Sequence, residues 1–198
     1  MCVDFFQAGA ETSSTTLSWA VMFMALNPEV QRKCFVEIKD VLGERPPSIN
    51  DSASMVYTMA TLMEIQRVGM IAEASLLHRL TKDTEIEGYT LKKNTFFLTN
   101  IQKFMLNPDE FESPKQFKPE RFIDNGQLVK KELFVPFGIG KRICMGESLA
   151  KNELFIFFVR LFQRIEITTT DPKPDPNNYT SGITRIPKPY FVKVTERS

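Results

Sequence analysis

The sequence predicts a mainly α-helical fold with small β-sheets, and three observations support this fold class. Apolar residues recur at helical spacing in four segments, which cover residues 5–26, 28–42, 55–71 and 147–162. Short alternating segments within 81–99 and 165–194 favour strands. The chain has 198 residues, of which 42% are hydrophobic and 25% charged, as in a globular protein rather than a disordered or collagen-like one.

The first two helices meet at Asn27-Pro28. We expect the first helix to be interrupted at Ala8-Gly9-Ala10 and at the polar residues 11–16, because glycine and hydroxyl side chains weaken a helix. Asn27 is the predicted N-cap of the second helix, and Pro28 takes the first position, where a missing N–H costs nothing. Gly43 closes that helix.

The later elements follow in order. The hairpin predicted around the turn Glu87-Gly88 could extend to Thr95–Leu98 as a sheet. Prolines among aromatic residues predict an ordered meander over 107–136. The phenylalanines of the helix over 147–162 are expected in the core: Phe155, Phe157, Phe158 and Phe162. Strand-like segments begin and end the proline-rich tail.

Composition argues against several classes of function. The 25 basic and 24 acidic residues leave a net charge of +1, which gives no electrostatic surface for wholesale nucleic-acid binding. Three cysteines argue against a disulfide framework and favour a reducing compartment. The apolar segments 17–26 and 154–162 are shorter than the ~18–20 residues that span a bilayer, and the N-terminus has no signal-peptide pattern.

The strongest chemical signal lies in residues 137–146, Phe-Gly-Ile-Gly-Lys-Arg-Ile-Cys-Met-Gly. Gly138 and Gly140 allow a tight turn and a close approach to a flat partner. Cys144 precedes a helix, whose N–H groups and macrodipole favour a thiolate. Arg142 can neutralise an anionic edge of a ligand. A thiolate, a basic group and a glycine-opened loop together suit a haem ligated through sulfur.

The alternative interpretation of Cys144 is a buried free cysteine in a turn. We assign a structural role to Cys2 and Cys34, because neither has a comparable setting. His78 is the only histidine. A lone histidine is more often structural, and it cannot form a zinc site with cysteines so dispersed.

Residues 137–146 resemble the cysteine-ligand loop of the cytochrome P-450 superfamily of haem-thiolate monooxygenases. Three further segments occur in the order of that family. Residues 8–13 resemble its distal helix motif, Glu64-Ile65-Gln66-Arg67 its Glu-x-x-Arg helix, and Phe117–Phe122 its aromatic–arginine meander. The resemblance covers essentially the whole chain and is closest to the animal microsomal branch that oxidises drugs, steroids and fatty acids.

The resemblance implies a monooxygenase that inserts one oxygen atom of O2 into an apolar substrate, with Cys144 as the axial ligand of haem b (iron protoporphyrin IX). Arg142 and His78 would hold the propionates, and Phe137 would shield the sulfur. The other residues assigned to the cofactor are Gly138, Gly146, Gly9 and Ala8.

The distal motif has a mechanistic interpretation. Monooxygenation needs protons while bulk water stays out, and the Thr12 hydroxyl beside the Glu11 acid can offer a relay. The alternative is that residues 11–16 form only a polar helix face or an unused N-cap.

Glu64 and Arg67 stand three residues apart on one helix face and can pair. The resemblance adds Arg121 as the third member of a buried ion cluster. Its expected role is to hold the fold and retain haem, not to catalyse.

Two departures from the family pattern concern the substrate side. Residues 72–77 lack the usual proline and place Glu73 near the expected substrate, and Lys92 and Asn94 replace a proline and a glycine. By resemblance, the candidates to line the substrate side are Phe5, Ala8, Leu76, Leu77 and Ile183.

The implied partners are a small apolar substrate and an NADPH-dependent flavoprotein reductase, without nucleic acid. We expect the reductase to dock near Cys144, where Lys141, Lys130 and Lys131 offer positive charge. The parent protein would sit on the cytosolic face of the endoplasmic reticulum membrane through an N-terminal anchor, and this chain alone would be cytoplasmic.

The resemblance implies a protein more than twice this length, so we expect the chain to be the C-terminal, haem-binding part of the fold with the N-terminal half absent. The alternative is a truncated, non-catalytic haem-binding or inert remnant. One partial domain, 1–198, is predicted to contain the distal helix 1–26, Glu-x-x-Arg helix 55–71, small sheet 81–99, meander 107–136, cysteine-ligand loop 137–146, following helix 147–162 and C-terminal strands 165–194.

Overall fold

Five α-helices form the scaffold of the computed structural model, which describes residues 2–197 apart from the side chain of Cys2. The helices are α1 (Cys2–Leu26), α2 (Pro28–Leu42), α3 (Val56–Gly69), α4 (Ile101–Met105) and α5 (Glu147–Arg164). Short 3-10 helices lie at Ile49–Ser54, Pro119–Phe122 and Gly140–Arg142. None of the helices within 2–197 is long and apolar enough to cross a membrane.

The strands pair in five small antiparallel sheets of two strands each within the described residues. The pairs are β1 (His78–Arg79) with β4 (Phe96–Phe97), β2 (Thr84–Ile86) with β3 (Tyr89–Leu91), β5 (Ile123–Asp124) with β6 (Gln127–Leu128), β7 (Ile165–Thr169) with β10 (Val192–Glu196), and β8 (Tyr179–Ser181) with β9 (Arg185–Pro187). The predicted fold class, mainly α with small β-sheets, is confirmed.

Helix α1 is continuous, so the predicted interruption at residues 8–16 was wrong. Its hydroxyl side chains bond within the helix instead of capping a new one. Thr12, Ser14, Thr16 and Ser18 each donate to the carbonyl oxygen four residues earlier, at 2.7–3.0 Å. These bonds satisfy the hydroxyl groups without breaking the backbone ladder.

Asn27 occupies the predicted N-cap position of α2, but its side chain does not cap the helix. Its amide instead donates to the carbonyl oxygen of Phe23, at 2.8 Å. The side chain therefore closes the end of α1 rather than the start of α2.

The predicted sheet over 81–99 forms two separate ladders. The hairpin β2–β3 turns at Glu87 and Gly88, both with positive φ. The segment Thr95–Leu98 does not extend this hairpin, because its strand β4 pairs with β1. Asn94, at φ 72°, turns the chain back toward Leu80, to which its N–H is bonded.

Helices α1, α2, α3 and α5 share one hydrophobic core. Trp19 of α1 is fully buried in it and stacks on Phe23 with ring centroids 5.6 Å apart. A Cβ at Gly69 would lie 3.0 Å from Cγ of Trp19, so glycine there permits the close approach of α3 to α1.

Three of the four phenylalanines predicted to pack on α5 are buried, at positions 155, 158 and 162. Phe157 is exposed, contrary to the prediction. Residues spaced by three and four share a helix face, and position 157 falls off that face.

Candidate functional site

The cysteine-ligand loop, residues 137–146, is closed by backbone hydrogen bonds and two left-handed glycines. Gly138 and Gly140 have φ values of 80° and 72°, a conformation that favours glycine. The N–H of Cys144 donates to the carbonyl oxygen of Phe137 at 3.0 Å, which brings the two ends of the loop together. Both glycines therefore adopt the turn conformation that the sequence predicted.

Cys144 lies three residues before the first residue of α5, Glu147, and is exposed. A Cβ at Gly146 would lie 3.8 Å from Sγ of Cys144, so the sulfur stays close to the first residue before the helix. The N–H of Glu147 donates to the carbonyl oxygen of Cys144 at 3.3 Å. This placement gives a soft sulfur donor beside the positive end of a helix dipole.

Several large apolar residues precede and follow Cys144 in the sequence, and their side chains are exposed. The exposed fractions are 64% for Ile139, 44% for Ile143, 83% for Met145 and 63% for Leu149. Scattered apolar residues on a protein surface are ordinary. Four of them within eleven positions of the sequence indicate a surface that an apolar ligand or partner covers. The loop thus fits a flat, apolar ligand bound through sulfur.

A cleft open to solvent lies among α1, α3 and α5 and the segment that follows α3. Thr12, Ser13 and Thr16 line it from α1, and Phe137 and Ala150 line it from the other side. The cleft therefore brings together two of the predicted site residues, Thr12 and Phe137, that are 125 positions apart. Cys144, Arg142 and His78 are not among its lining residues.

The predicted relay pair, Glu11 and Thr12, is not joined in the structure. The Thr12 hydroxyl donates to the carbonyl oxygen of Ala8 at 2.8 Å. One carboxylate oxygen of Glu11 accepts a hydrogen bond from the hydroxyl of Thr184, also at 2.8 Å. Neighbouring residues on a helix point about 100° apart, so Glu11 and Thr12 address different surroundings.

The two predicted propionate-binding residues have different settings. His78 is half-buried on β1, where its ring stacks on Phe97 with centroids 5.4 Å apart. Its Nδ1 lies 3.5 Å from the hydroxyl oxygen of Ser75. Arg142 is exposed in the 3-10 helix Gly140–Arg142 and forms no ion pair with any carboxylate of residues 2–197.

The predicted substrate-side residues lie on the surface of the described chain. Phe5 and Ala8 are exposed on α1, Leu76 and Leu77 are exposed before β1, and Ile183 is exposed at the tip of the β8–β9 hairpin. Gly9 is also exposed on α1, and a Cβ built on it would meet no atom within 4 Å. These exposed residues are available to contact a ligand or another segment of protein.

The Glu64–Arg67 ion pair on α3 is fully buried. Glu64 pairs with Arg67 through two hydrogen bonds of 2.8 Å, and neither side chain has exposed surface. Arg121 Nε reaches the same carboxylate at 3.1 Å, and the N–H of Lys118 donates to it at 2.9 Å. The cluster fixes the meander against α3.

Cys34, predicted to be structural, is buried in the core, and its Sγ lies 3.3 Å from Oγ1 of Thr61. Burial raises the pKa of this thiol to about 12, so it stays neutral and unreactive. The side chain of Cys2 lies outside the described residues.

Of the three lysines predicted to attract a reductase, Lys130 and Lys141 are exposed and Lys131 is half-buried.

The sequence reasoning named Ile183 of the β8–β9 hairpin but missed the hydrogen bonds that the hairpin makes. Its residue Arg185 accepts a hydrogen bond from the indole N–H of Trp19 at 3.0 Å, through its carbonyl oxygen. Its tip contacts Glu11 and Glu73 through Thr184 and Ser181. The Ser-Gly pair between strand-like flanks was the available turn signal.

Comparison with known proteins identifies the family. The family model for cytochrome P450 matches residues 1–194. Over 98% of the chain, it is 42% identical to cytochrome P450 2U1 of Homo sapiens, and over 99% it is 44% identical to cytochrome P450 2J1 of Oryctolagus cuniculus. It is also 40% identical, over 98% of its length, to a 3-ketosteroid oxygenase of Caenorhabditis elegans.

The chain spans 36%, 39% and 34% of the length of these three relatives, respectively. All three come from animals, as the resemblance implied. Together with the family match, they show that this chain belongs to the cytochrome P450 family.

Proposed function

We propose that this chain is the haem-binding part of a monooxygenase that inserts one oxygen atom of O2 into an apolar organic substrate. The observation that carries the proposal is the exposed Cys144 thiol, which a glycine-opened loop holds before α5 among exposed apolar side chains. A haem ligated by cysteine thiolate supplies electron density that favours O–O bond cleavage.

Several residues of this chain would hold the haem. Cys144 would ligate the iron, and its loop leaves room for a flat partner because Gly138 and Gly140 carry no side chain. Arg142, exposed and without an ion pair among residues 2–197, and His78 would bind the propionates. The other residues assigned to the cofactor are Phe137, Gly146, Gly9 and Ala8.

Thr12 and Glu11 would handle protons from different positions. The hydroxyl hydrogen of Thr12 is engaged by the Ala8 carbonyl, so its oxygen lone pairs can accept from a donor in the cleft. The exposed Glu11 carboxylate can exchange protons with solvent. A relay between them needs a bridging water or a change of side-chain rotamer.

The buried cluster of Glu64, Arg67 and Arg121 would retain haem indirectly, by keeping the meander in register with α3. This packing positions the meander that leads into the loop of Cys144.

The substrate class that fits best is a small apolar molecule of drug, steroid or fatty-acid type. The exposed side chains of Phe5, Leu76, Leu77 and Ile183 are all apolar and are available to contact such a molecule. The oxygenase relative whose name refers to 3-ketosteroids is consistent with this class.

Electrons would come from a flavin-containing reductase that uses NADPH. Lys141, Lys130 and Lys131 offer it positive charge on and before the loop of Cys144. In the whole protein we place this machinery at the endoplasmic reticulum membrane, on its cytosolic face.

The test is oxygen incorporation by the haem-loaded chain with NADPH and a flavoprotein reductase. Under labelled O2, a steroid, a fatty acid and a small arene should each be assayed for products that carry one labelled oxygen atom. We expect Thr12→Ala to divert electrons to hydrogen peroxide. Ser14→Ala should not, because Ser14 is exposed on the same helix and has the same backbone bond.

Two outcomes would contradict the proposal. A chain that binds haem through Cys144 but oxidises none of the substrates would be a non-catalytic haem protein. A chain that takes up no haem would be an inert remnant of the family.

A further inference from the structure

The tip of the β8–β9 hairpin, residues 181–184, is held between two carboxylates from distant parts of the chain. The hydroxyl of Thr184 donates to Glu11 of α1 at 2.8 Å. The hydroxyl of Ser181 donates to Glu73, which follows α3, at 2.7 Å. The other oxygen of Glu73 accepts from the side-chain amide of Gln102 at 3.2 Å.

Strand β9 is fixed to buried structure at Arg185, the residue directly after Thr184. The N–H of Arg185 donates to the carbonyl oxygen of Ile71 at 2.8 Å. The carbonyl oxygen of Arg185 accepts from the indole of Trp19, which is fully buried. The guanidinium of Arg185 lies 3.7 Å from the ring centroid of Tyr179 on the paired strand. Thr184 is therefore covalently attached to a residue that cannot move freely.

The Glu11 side chain, in contrast, is not held by buried structure. It is exposed on α1, and the part of the chain that the structure describes offers its carboxylate one side-chain bond, from Thr184. An exposed glutamate otherwise samples many rotamers, and a hydrogen bond to a charged acceptor is strong enough to select among them. The direction of control thus runs from the hairpin to the acid.

We propose that Thr184 is a positioning residue for the Glu11 carboxylate. Its hydroxyl ties the exposed acid to the tip of the β8–β9 hairpin, so that the carboxylate keeps one orientation on α1. This inference rests on the proposed function, in which Glu11 supplies protons. It adds the hairpin tip to the proton-handling part of the site.

Hydrogen exchange on the chain without haem tests the bond itself. Thr184→Val removes the hydroxyl and keeps the side-chain shape, whereas Thr184→Ser keeps the hydroxyl. We expect several-fold faster amide exchange over residues 181–184 in Thr184→Val and in Glu11→Ala, and near-normal exchange in Thr184→Ser. The double variant should exchange no faster than either single one. Additive increases would overturn the proposed contact.

Electron partition in the haem-loaded chain tests the positioning role. We expect Thr184→Val to raise the share of NADPH electrons released as hydrogen peroxide several-fold and to enlarge the solvent isotope effect on product formation. Thr184→Ser should restore both values. In the Glu11→Ala background, Thr184→Val should change neither.

Ser181→Ala is the matched control, because it frees the other side of the same tip. It should speed exchange over residues 181–184 without changing the peroxide share. An equal change in Ser181→Ala and Thr184→Val would assign the effect to hairpin closure and overturn the inference.

Failure of this inference and failure of the proposed function look different. If product forms and Thr184→Val matches the unmodified chain, the inference fails and the function stands. If the chain binds no haem, the function fails, and the exchange experiment alone decides whether Thr184 holds Glu11.

Discussion

The Glu64 carboxylate receives donors from three residues in a fully buried setting. Arg67 donates twice to it, and Arg121 Nε and the N–H of Lys118 add one bond each. Two further guanidinium hydrogens of Arg67 reach the carbonyl oxygens of Met105 and Gln116. This extensive pairing offsets the desolvation of the charges, so the loss of one partner is costly.

We therefore expect Glu64→Gln to lower the free energy of unfolding by ~3–5 kcal/mol, because it leaves buried guanidinium charge unpaired. Urea denaturation measures the change. Glu29→Gln is the control: Glu29 pairs with Arg32 at the same i,i+3 spacing but on the surface, and should cost less than ~1 kcal/mol. Equal effects of the two variants would contradict the buried-cluster account.

The two described cysteines should differ sharply in reactivity. Cys144 is exposed, whereas burial raises the pKa of Cys34 to about 12. At pH 8 an alkylating reagent should modify Cys144 in the native chain, and Cys34 only after unfolding, because the thiolate is the reactive form. Peptide mapping by mass spectrometry assigns each site. Native labelling of Cys34 would show that its environment is not closed.

The sequence could identify Cys144, Glu64 and Arg67, because each belongs to a motif with fixed local spacing. It could not pair Glu11 with Thr184. That bond joins residues 173 positions apart, through a hairpin whose location depends on the buried Trp19. Local patterns specify chemical groups, whereas long-range packing decides which groups meet.

At the scale of the elements, a side chain of α2 accepts hydrogen bonds from N–H groups at the start of α3. Its N-cap residue, Met55, offers no side-chain acceptor. The carboxylate of Glu37, on α2, instead accepts from the N–H groups of Tyr57 at 2.8 Å and Thr58 at 2.7 Å. A negative group at this end also complements the helix dipole.

Glu37→Ala should lower the free energy of unfolding by ~1–3 kcal/mol, because it strands two N–H groups at the start of α3. Asp40→Ala is the matched control, since Asp40 is exposed on the same helix and should change stability by less than ~0.5 kcal/mol. Thermal and urea unfolding measure both. Indistinguishable variants would mean that Glu37 does not cap α3.

The elements also show where sequence patterns mislead. Helical periodicity and the Glu87-Gly88 turn located α2, α3, α5 and the β2–β3 hairpin. The same rules predicted a break in α1 that does not exist, because its hydroxyl groups bond to the helix backbone. The pairing of β4 with β1 was missed, since register between short strands depends on the turn at Asn94.

At the scale of the whole molecule, the scaffold and the candidate site have opposite characters. The helices pack a continuous core around Trp19, and the ion cluster on α3 is closed to solvent. The thiol of Cys144 and its apolar neighbours are exposed. A buried scaffold that presents a sulfur donor on an apolar surface is suited to hold a large, flat cofactor.

The binding of carbon monoxide to the reduced, haem-loaded chain tests this account most directly. We predict a strongly red-shifted Soret band for the unmodified chain and for Cys34→Ser, and the loss of that band in Cys144→Ser. A chain that refuses haem, or one whose band survives in Cys144→Ser, would contradict ligation through this sulfur and the oxygenase function that depends on it.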